Sequence, residues 1–256
     1  MNFIDTHSHL YAAEFAEDIE EVINRSKAVG ISKIFLPNVD VESIAPLKKL
    51  TASDPDFFYP MMGLHPCSVK ENYEEELNTI KKEIFENKYL AVGEIGIDLF
   101  WDKSFIAQQK LAFIEQINWA KELKLPIVIH ARDSFDQLFE ILDTVHTNQL
   151  KGIFHCFTGT IHQAEKIIEY GTFKLGIGGV VTYKNSGLDK TLEAIGLEHL
   201  VLETDAPYLA PQPFRGKRNE SMYLEIIAKK IAEILQVDVK EIAEVTNKNA
   251  SIIFQL

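Results

Sequence analysis

Six side chains able to hold a metal ion stand out by type and spacing. His7 and His9 close the apolar opening Phe3-Ile4-Asp5-Thr6. On a strand, residues i and i+2 point to one face, so a single cation can receive both imidazoles without bending the backbone. Glu94 sits in Val92-Gly93-Glu94-Ile95-Gly96, whose glycines leave room near the backbone; a carboxylate buried there is costly without a cation. His130 ends the run Ile127-Val128-Ile129, His155 follows Ile153-Phe154, and Asp205 follows Val201-Leu202-Glu203-Thr204. Taken singly, the two histidines read as hydrogen-bonded core residues and Asp205 as the cap of a turn before Pro207. Together they supply four imidazoles and two carboxylates. Six N/O ligands exceed the four of a tetrahedral zinc site, and a bridging carboxylate such as Glu94 can hold two cations roughly 3.5–4 Å apart. The expectation is a binuclear centre for Zn, Mn, Fe or Ni; Mg would need more oxygen ligands and would lean on water.

These residues need a scaffold that gathers them. Apolar, β-branched runs alternate with helix-period segments along the whole chain, which is a βαβ signature. Strands are expected at Phe3–His7, Lys33–Pro37, Phe58–Gly63, Leu90–Ile95, Pro126–His130, Gly152–His155, Thr172–Ile177 and His199–Glu203. Helices are expected at Ala16–Ala28, Ser43–Ser53, Tyr73–Glu86, Phe105–Leu123, Phe135–His146, Ile161–Tyr170, Leu188–Ile195 and Tyr223–Leu235, with a last one over Lys240–Phe254. Eight βα units in 256 residues suit a (β/α)8 TIM barrel, and no linker or compositional break divides the chain, so residues 1–256 read as one domain. A doubly wound sheet is disfavoured because no G-x-G-x-x-G turn follows the first strand. Gly176-Ile177-Gly178-Gly179 after the seventh strand reads as a tight turn in preference to a phosphate cradle. In a barrel, all six candidate ligands fall at the C-terminal ends of strands, where barrel enzymes place their chemistry.

A net charge of −12 argues against a generic nucleic-acid coat, which needs an extended basic surface, but not against a nuclease whose carboxylates are neutralised by cations. No run is long and apolar enough for a membrane helix, and no basic leader precedes the first strand, so the chain is expected to be cytoplasmic with no membrane partner. Its two cysteines, Cys67 and Cys156, are expected to be reduced. No obligate protein partner is evident.

The assembled motifs resemble the TatD family of metal-dependent hydrolases, within the amidohydrolase-like barrels. They are Asp5-Thr6-His7-Ser8-His9-Leu10, Gly63-Leu64-His65-Pro66, Val92-Gly93-Glu94-Ile95-Gly96-Ile97-Asp98, His130-Ala131-Arg132, His155-Cys156-Phe157-Thr158-Gly159, Glu203-Thr204-Asp205-Ala206-Pro207-Tyr208-Leu209 and Arg215-Gly216-Lys217-Arg218-Asn219-Glu220. Ser221 stands where the pattern leads one to expect proline, at the start of a helix. The resemblance implies a distorted barrel with one or two divalent cations and hydrolysis of DNA, of the 3′–5′ exonuclease type. It implies His7, His9, Glu94 and Asp205 on one cation, and Glu94, His130 and His155 on the other.

The resulting expectation is a deoxyribonuclease with DNA as substrate, in which Asp205 orients or deprotonates a metal-activated water. Arg132, Arg215, Lys217 and Arg218 are expected to meet phosphates, and His65 to reach the substrate from the third strand. The plainer reading of the loop cations is solvation or salt bridges to Glu220. Asp98 and Glu203 are expected to orient a ligand histidine or to pair with Arg132, outside the core site. The rival enzyme is a deacylase or lactonase of the amidohydrolase type. Relatives with a carboxylated lysine bridge carry Lys at the fourth strand, where this chain has Glu94, and the cluster at Arg215 to Arg218 suits phosphate better than a neutral amide.

Overall fold

The computed structural model describes residues 1–256. Its eight strands are all parallel: β1 (Phe3–Asp5), β2 (Ile31–Leu36), β3 (Phe58–Pro60), β4 (Val92–Asp98), β5 (Ile127–Arg132), β6 (Gly152–Phe154), β7 (Phe173–Ile177) and β8 (Leu200–Leu202). Each returns through a helix: α1 (Ile19–Ala28), α2 (Ile44–Ser53), α3 (Tyr73–Glu86), α4 (Ile106–Leu123), α5 (Phe135–Val145), α6 (Ile161–Glu169), α7 (Leu188–Ile195) and α8 (Leu224–Leu235); α9 (Val239–Phe254) ends the fold. Regular ladders run through β1-β2-β3 and through β4 to β8. Two irregular seams join them. The Thr6 amide and hydroxyl both donate to Leu202 O (3.0 and 2.9 Å), linking β1 to β8. Met62 bridges Val92 in parallel, with Gly93 N donating to Met62 O at 3.0 Å, linking β3 to β4. The ring is therefore a distorted (β/α)8 barrel.

Side chains that alternate along the strands divide the apolar interior in two. One large cluster, including Ile127, Ile129, Leu200 and Leu202, fills the layer between strands and helices. The residues between them face inward: Ile4, Phe35, Met61, Ala91, Val128, Ile153 and Val201 form a separate cluster with Ala250, Ile253 and Phe254 of α9. The last helix thus plugs one mouth of the barrel with apolar side chains, a role its sequence periodicity alone does not announce.

The strand ends differ from expectation where the site begins. β1 stops at Asp5, two residues before His7, because the next amides leave the ladder: His7 N faces the Asp5 carboxylate at 3.4 Å and Ser8 N donates to Phe35 O. β4 runs on to Asp98 instead of ending at Ile95, and β5 to Arg132 instead of His130, because Asp98 and Arg132 pair across the sheet. Gly96 permits that pairing. Its φ is 147°, and a Cβ there would run into the His130 carbonyl. Gly176 has a similar use, since a Cβ would collide with the Glu203 carboxylate. After β7 the chain passes through Gly178 into a 3-10 turn over Gly179–Thr182, where a Cβ on Gly179 would collide with the Leu209 carbonyl.

Candidate metal centre

At the mouth opposite α9, the four expected ligands of the first cation converge. His7 Nε2 lies 3.2 Å from His9 Nε2, 3.1 Å from Glu94 Oε2 and 3.7 Å from Asp205 Oδ1. His9 Nε2 is 3.7 Å from Glu94 Oε2 and 3.5 Å from Asp205 Oδ1. Ligands at 2.0–2.2 Å around a tetrahedral cation stand roughly 3.3–3.6 Å apart, so these spacings are near those of a coordination sphere. The other oxygen of Glu94 faces a second group: Oε1 lies 2.7 Å from His130 Nδ1, 2.9 Å from His155 Nε2 and 3.3 Å from His65 Nε2. One buried carboxylate therefore addresses two nests of imidazole.

The surrounding hydrogen bonds determine which ring nitrogens have a free lone pair. The Tyr11 hydroxyl donates to Pro37 O at 2.6 Å, so its oxygen accepts from His9 Nδ1–H at 3.0 Å and leaves His9 Nε2 unprotonated. Asp98 Oδ2 receives His130 Nε2–H at 2.9 Å, which leaves Nδ1 toward Glu94. Glu203 Oε1 stands 3.3 Å from His155 Nδ1 without a hydrogen bond, while His155 Nε2 faces Glu94 Oε1 at 2.9 Å. His65 is the opposite case. Its Nδ1 accepts the Cys67 amide at 3.0 Å, so in the neutral ring Nε2 carries the proton and points a donor at the site. That arrangement suits contact with an anionic substrate or with Glu94 better than ligation.

Electrostatics support a cation at this place. Burial opposes ionisation of Glu94, yet His155, His65 and His7 outweigh it and hold the carboxyl well below its usual range. Burial likewise opposes charge on Asp205, and the His9 ring 3.5 Å away together with the fields of His155 and His7 brings its pKa below normal. Burial drives His7 and His65 toward the neutral form, whereas for His130 and His155 the nearby carboxylates outweigh burial and raise the pKa. Asp5, equally buried but served only by Thr204, Ser221 and His7, is pushed up to about 7 by desolvation. The carboxylates at the mouth thus stay ionised, and their field favours positive charge at His130 and His155 over the opposing effect of burial, the electrostatic setting a divalent cation prefers. Three groups bring ligand atoms close enough to hold one ion: His7, His9 and Glu94; His7, His155 and Glu203; and His65, Glu94 and His130, the last with His65 turned as a donor.

The remaining expected site residues separate. Arg132 is exposed and lays its guanidinium over the Phe100 ring, 3.9 Å from the centroid. Arg215 is exposed and lies over Tyr183 at 4.4 Å, and Lys217 faces solvent. Arg218 is turned away from the centre: it donates to Asp18 at 2.6 and 2.7 Å, to Glu220 at 3.1 Å and to Glu14 O. Its charge is spent on tying the loop after β8 to the start of α1, in line with the plainer reading of this loop as salt-bridged to Glu220. Sequence reasoning left out Tyr11, which orients His9, and kept Asp98 and Glu203 at the margin. The signal for Tyr11 was its i+2 offset from His9; for Asp98 it was the i+4 offset from Glu94 on a strand that runs longer than expected.

Parallel barrel, strand-end ligands and a carboxylate between two imidazole nests define a metal-dependent hydrolase. The chain belongs to the family described as TatD related DNase, whose model matches residues 4–255. It is 40% identical over 253 residues to a Bacillus subtilis protein named as the metal-dependent hydrolase YabD, covering 98% of each chain. It is 31% identical over 261 residues to the 3′-5′ ssDNA/RNA exonuclease TatD of Yersinia pseudotuberculosis, covering 98% of this chain and 99% of that one. The crystal structure of the Escherichia coli TatD homologue YjjV superposes with a TM-score of 0.93 at 30% identity, over 99% of this chain and 98% of the other.

Proposed function

We propose that this hydrolase carries two divalent cations and removes nucleotides from a DNA 3′ end, with Asp205 as catalytic base. The single observation that carries the two-cation reading is Glu94, whose oxygens face different imidazole sets: Oε2 toward His7 and His9, which also neighbour Asp205, and Oε1 toward His130 and His155. Cations held by these side chains would supply a more acidic water and a counter-charge for a phosphate oxygen. The chain's own residues do the rest. Asp205 is ionised and reaches the first nest through Oδ1, leaving Oδ2 to accept a proton from the attacking water. Its backbone is held in the left-handed region (φ 59°) by the Asp205 N–H to His7 O bond at 2.9 Å and by the Tyr208 amide on its carbonyl at 2.8 Å, so the carboxylate direction is fixed before substrate arrives. His65 Nε2–H supplies a donor from the third strand's side. Arg132, Arg215 and Lys217 spread positive charge around the rim for phosphates.

Both cysteines are unpaired, which suits a reducing compartment, and we place the enzyme in the cytosol. No helix is long and apolar enough to cross a membrane. The test is digestion of end-labelled single-stranded DNA by metal-loaded protein, with a chelator control and a parallel panel of amides and lactones. Chelator-sensitive shortening from the 3′ end supports the reading. Turnover of an amide or lactone without any of DNA would overturn it.

A further inference from the structure

Beyond the ligand cluster, two aromatic rings stand in solvent at the same mouth. Trp101 is 70% exposed and Phe100 is 50% exposed, in the loop between β4 and α4. They meet edge to face with centroids 4.9 Å apart. Large aromatic surface left in water costs free energy that a covering partner recovers, and here the rings meet only each other and the Arg132 guanidinium on their exposed side. The Arg132 guanidinium lies 3.9 Å from the Phe100 centroid and 5.3 Å from that of Trp101, and it forms no ion pair. One face of Phe100 is taken by this cation, so Trp101 supplies the open face.

The pair is tied to the metal centre by one side chain. Asp98 Oδ1 accepts the backbone amides of Phe100 (2.9 Å) and Trp101 (3.1 Å), while Oδ2 accepts His130 Nε2–H (2.9 Å). The carboxylate that orients a ligand histidine also sets the register of the aromatic pair, so the rings keep a fixed offset from the reacting centre. Phe100 and Arg132 also open onto a cleft of about 640 Å³ lined by Ser134, Thr158, Thr160 and Gln163. That volume falls within the range of small-ligand sites, roughly 300–1,000 Å³.

We propose that Phe100 and Trp101, backed by the Arg132 guanidinium, form a stacking platform for an unpaired base of a single-stranded nucleic acid whose phosphodiester enters the metal centre. The proposal rests on the nuclease reading above and adds to it the feature that selects single strands. A planar base offers the aromatic face that Trp101 lacks, and the adjacent phosphate offers the negative charge that Arg132 lacks. An amide or lactone offers neither. In a duplex interior both faces of each base are already covered by neighbours, so only an unpaired or frayed base can use the platform. Base-on-aromatic stacking tolerates any base, so the platform confers strand selection without sequence selection.

Steady-state cleavage of single-stranded oligonucleotides by Phe100→Ala, Trp101→Ala and the double variant tests this. Both rings are exposed, so melting temperature and bound metal per chain should match wild type and certify the fold. The double variant should raise KM roughly 5- to 100-fold per lost stacking contact, with a smaller change in kcat. Trp101→Phe should recover most of the loss, which a purely structural role would not require. An oligonucleotide carrying one abasic position near the scissile bond should lose affinity for wild type, and should lose little more for the double variant. Binding in the Asp205→Asn background should quench the fluorescence of Trp101, since the other tryptophan, Trp119, is buried. A double variant with unchanged KM, an equal loss in Trp101→Phe, or wild-type indifference to the abasic position would each overturn the platform while leaving the nuclease reading intact. Wild-type protein that cleaves no nucleic acid at all would overturn both.

Discussion

The two mouths of this barrel are built from the same eight strands but obey opposite physics. At one, Ile4, Phe35, Met61, Val128, Ile153 and Val201 meet Ile253 and Phe254 of α9 in a dry plug. Every contact there removes apolar surface from water, worth roughly 25 cal/mol per Å². At the other, Glu94, His7 and His155 are at most 4% exposed and Asp205 only 8%. Buried charge of that density costs free energy unless something of opposite sign is bound. Unpartnered buried atoms mark the same end: His7 Nδ1, His155 Nδ1 and Glu203 Oε2, with only Trp119 Nε1 elsewhere. The plug stabilises itself, whereas the open mouth gathers buried charge that a bound cation would balance. Placing function at one end and stability at the other lets the loops above the strands change without loosening the barrel.

Substitution at the open mouth should have the largest effect and no bearing on the plug. Glu94→Ala should abolish metal uptake at both nests together, with turnover falling below detection; metal content by elemental analysis checks it. Loss of only one equivalent would show that the nests are filled independently. Asp205→Asn, which keeps an oxygen in place, should retain metal yet lower kcat by about 10²–10⁴-fold. Undiminished turnover at full occupancy would remove Asp205 from the mechanism. At the plug, Phe254→Ala should destabilise the chain by about 3–5 kcal/mol in denaturant titrations while metal stoichiometry stays at the wild-type value. A parallel loss of metal would show that the two mouths are coupled.

Chelation probes the same contrast from the ligand side. A cation at a hundredfold excess over its Kd stabilises the folded chain by about 2.7 kcal/mol. Wild type and Phe254→Ala should show the same increment on metal addition, because well-separated sites add. Glu94→Ala should show almost none. A metal increment that shrinks in Phe254→Ala would mean that the plug shapes the site.

How far these features could be read from the residues follows the same division. The strand cores were legible because parallel strands buried on both sides read as apolar runs, and the clustering of the six candidate side chains at one mouth because most of them follow such a run. The plug was not. Ala250, Ile253 and Phe254 lie on a helix whose apolar spacing fits packing outside the ring as well as under it, and only three-dimensional closure decides between them. The rotation of the imidazoles was legible only in part: Tyr11 and Cys67 stand two residues from His9 and His65, whereas His130 and His155 face Asp98 and Glu203, which come from other strands of the ring. The fate of Arg218 needed the position of Asp18, 200 residues away. Local pattern records what a residue is and which face it takes; it does not record which distant charge reaches it first.

That last pair gives the smallest expected effect and the sharpest test of what the loop cations do. Arg218, bonded to Asp18 and Glu220, holds the Asp18 carboxyl below its ordinary range, with Arg25 adding to the effect. A depressed carboxyl pKa gives stability that is full above the unfolded value near 3.9 and is lost as pH falls through the lower folded value. The stability gap between wild type and Asp18→Asn should therefore be constant at neutral pH and close in strong acid. Exposure of the Asp18 side chain (31%) leaves the pair well screened, so the gap should be about 1 kcal/mol or less. Arg218→Ala should lower stability by a similar amount and leave the salt dependence of oligonucleotide binding unchanged, while Arg215→Ala and Lys217→Ala should each flatten it. A flattened slope in Arg218→Ala would mean that the guanidinium leaves Asp18 when nucleic acid arrives, and that the strap over α1 is itself part of the open mouth.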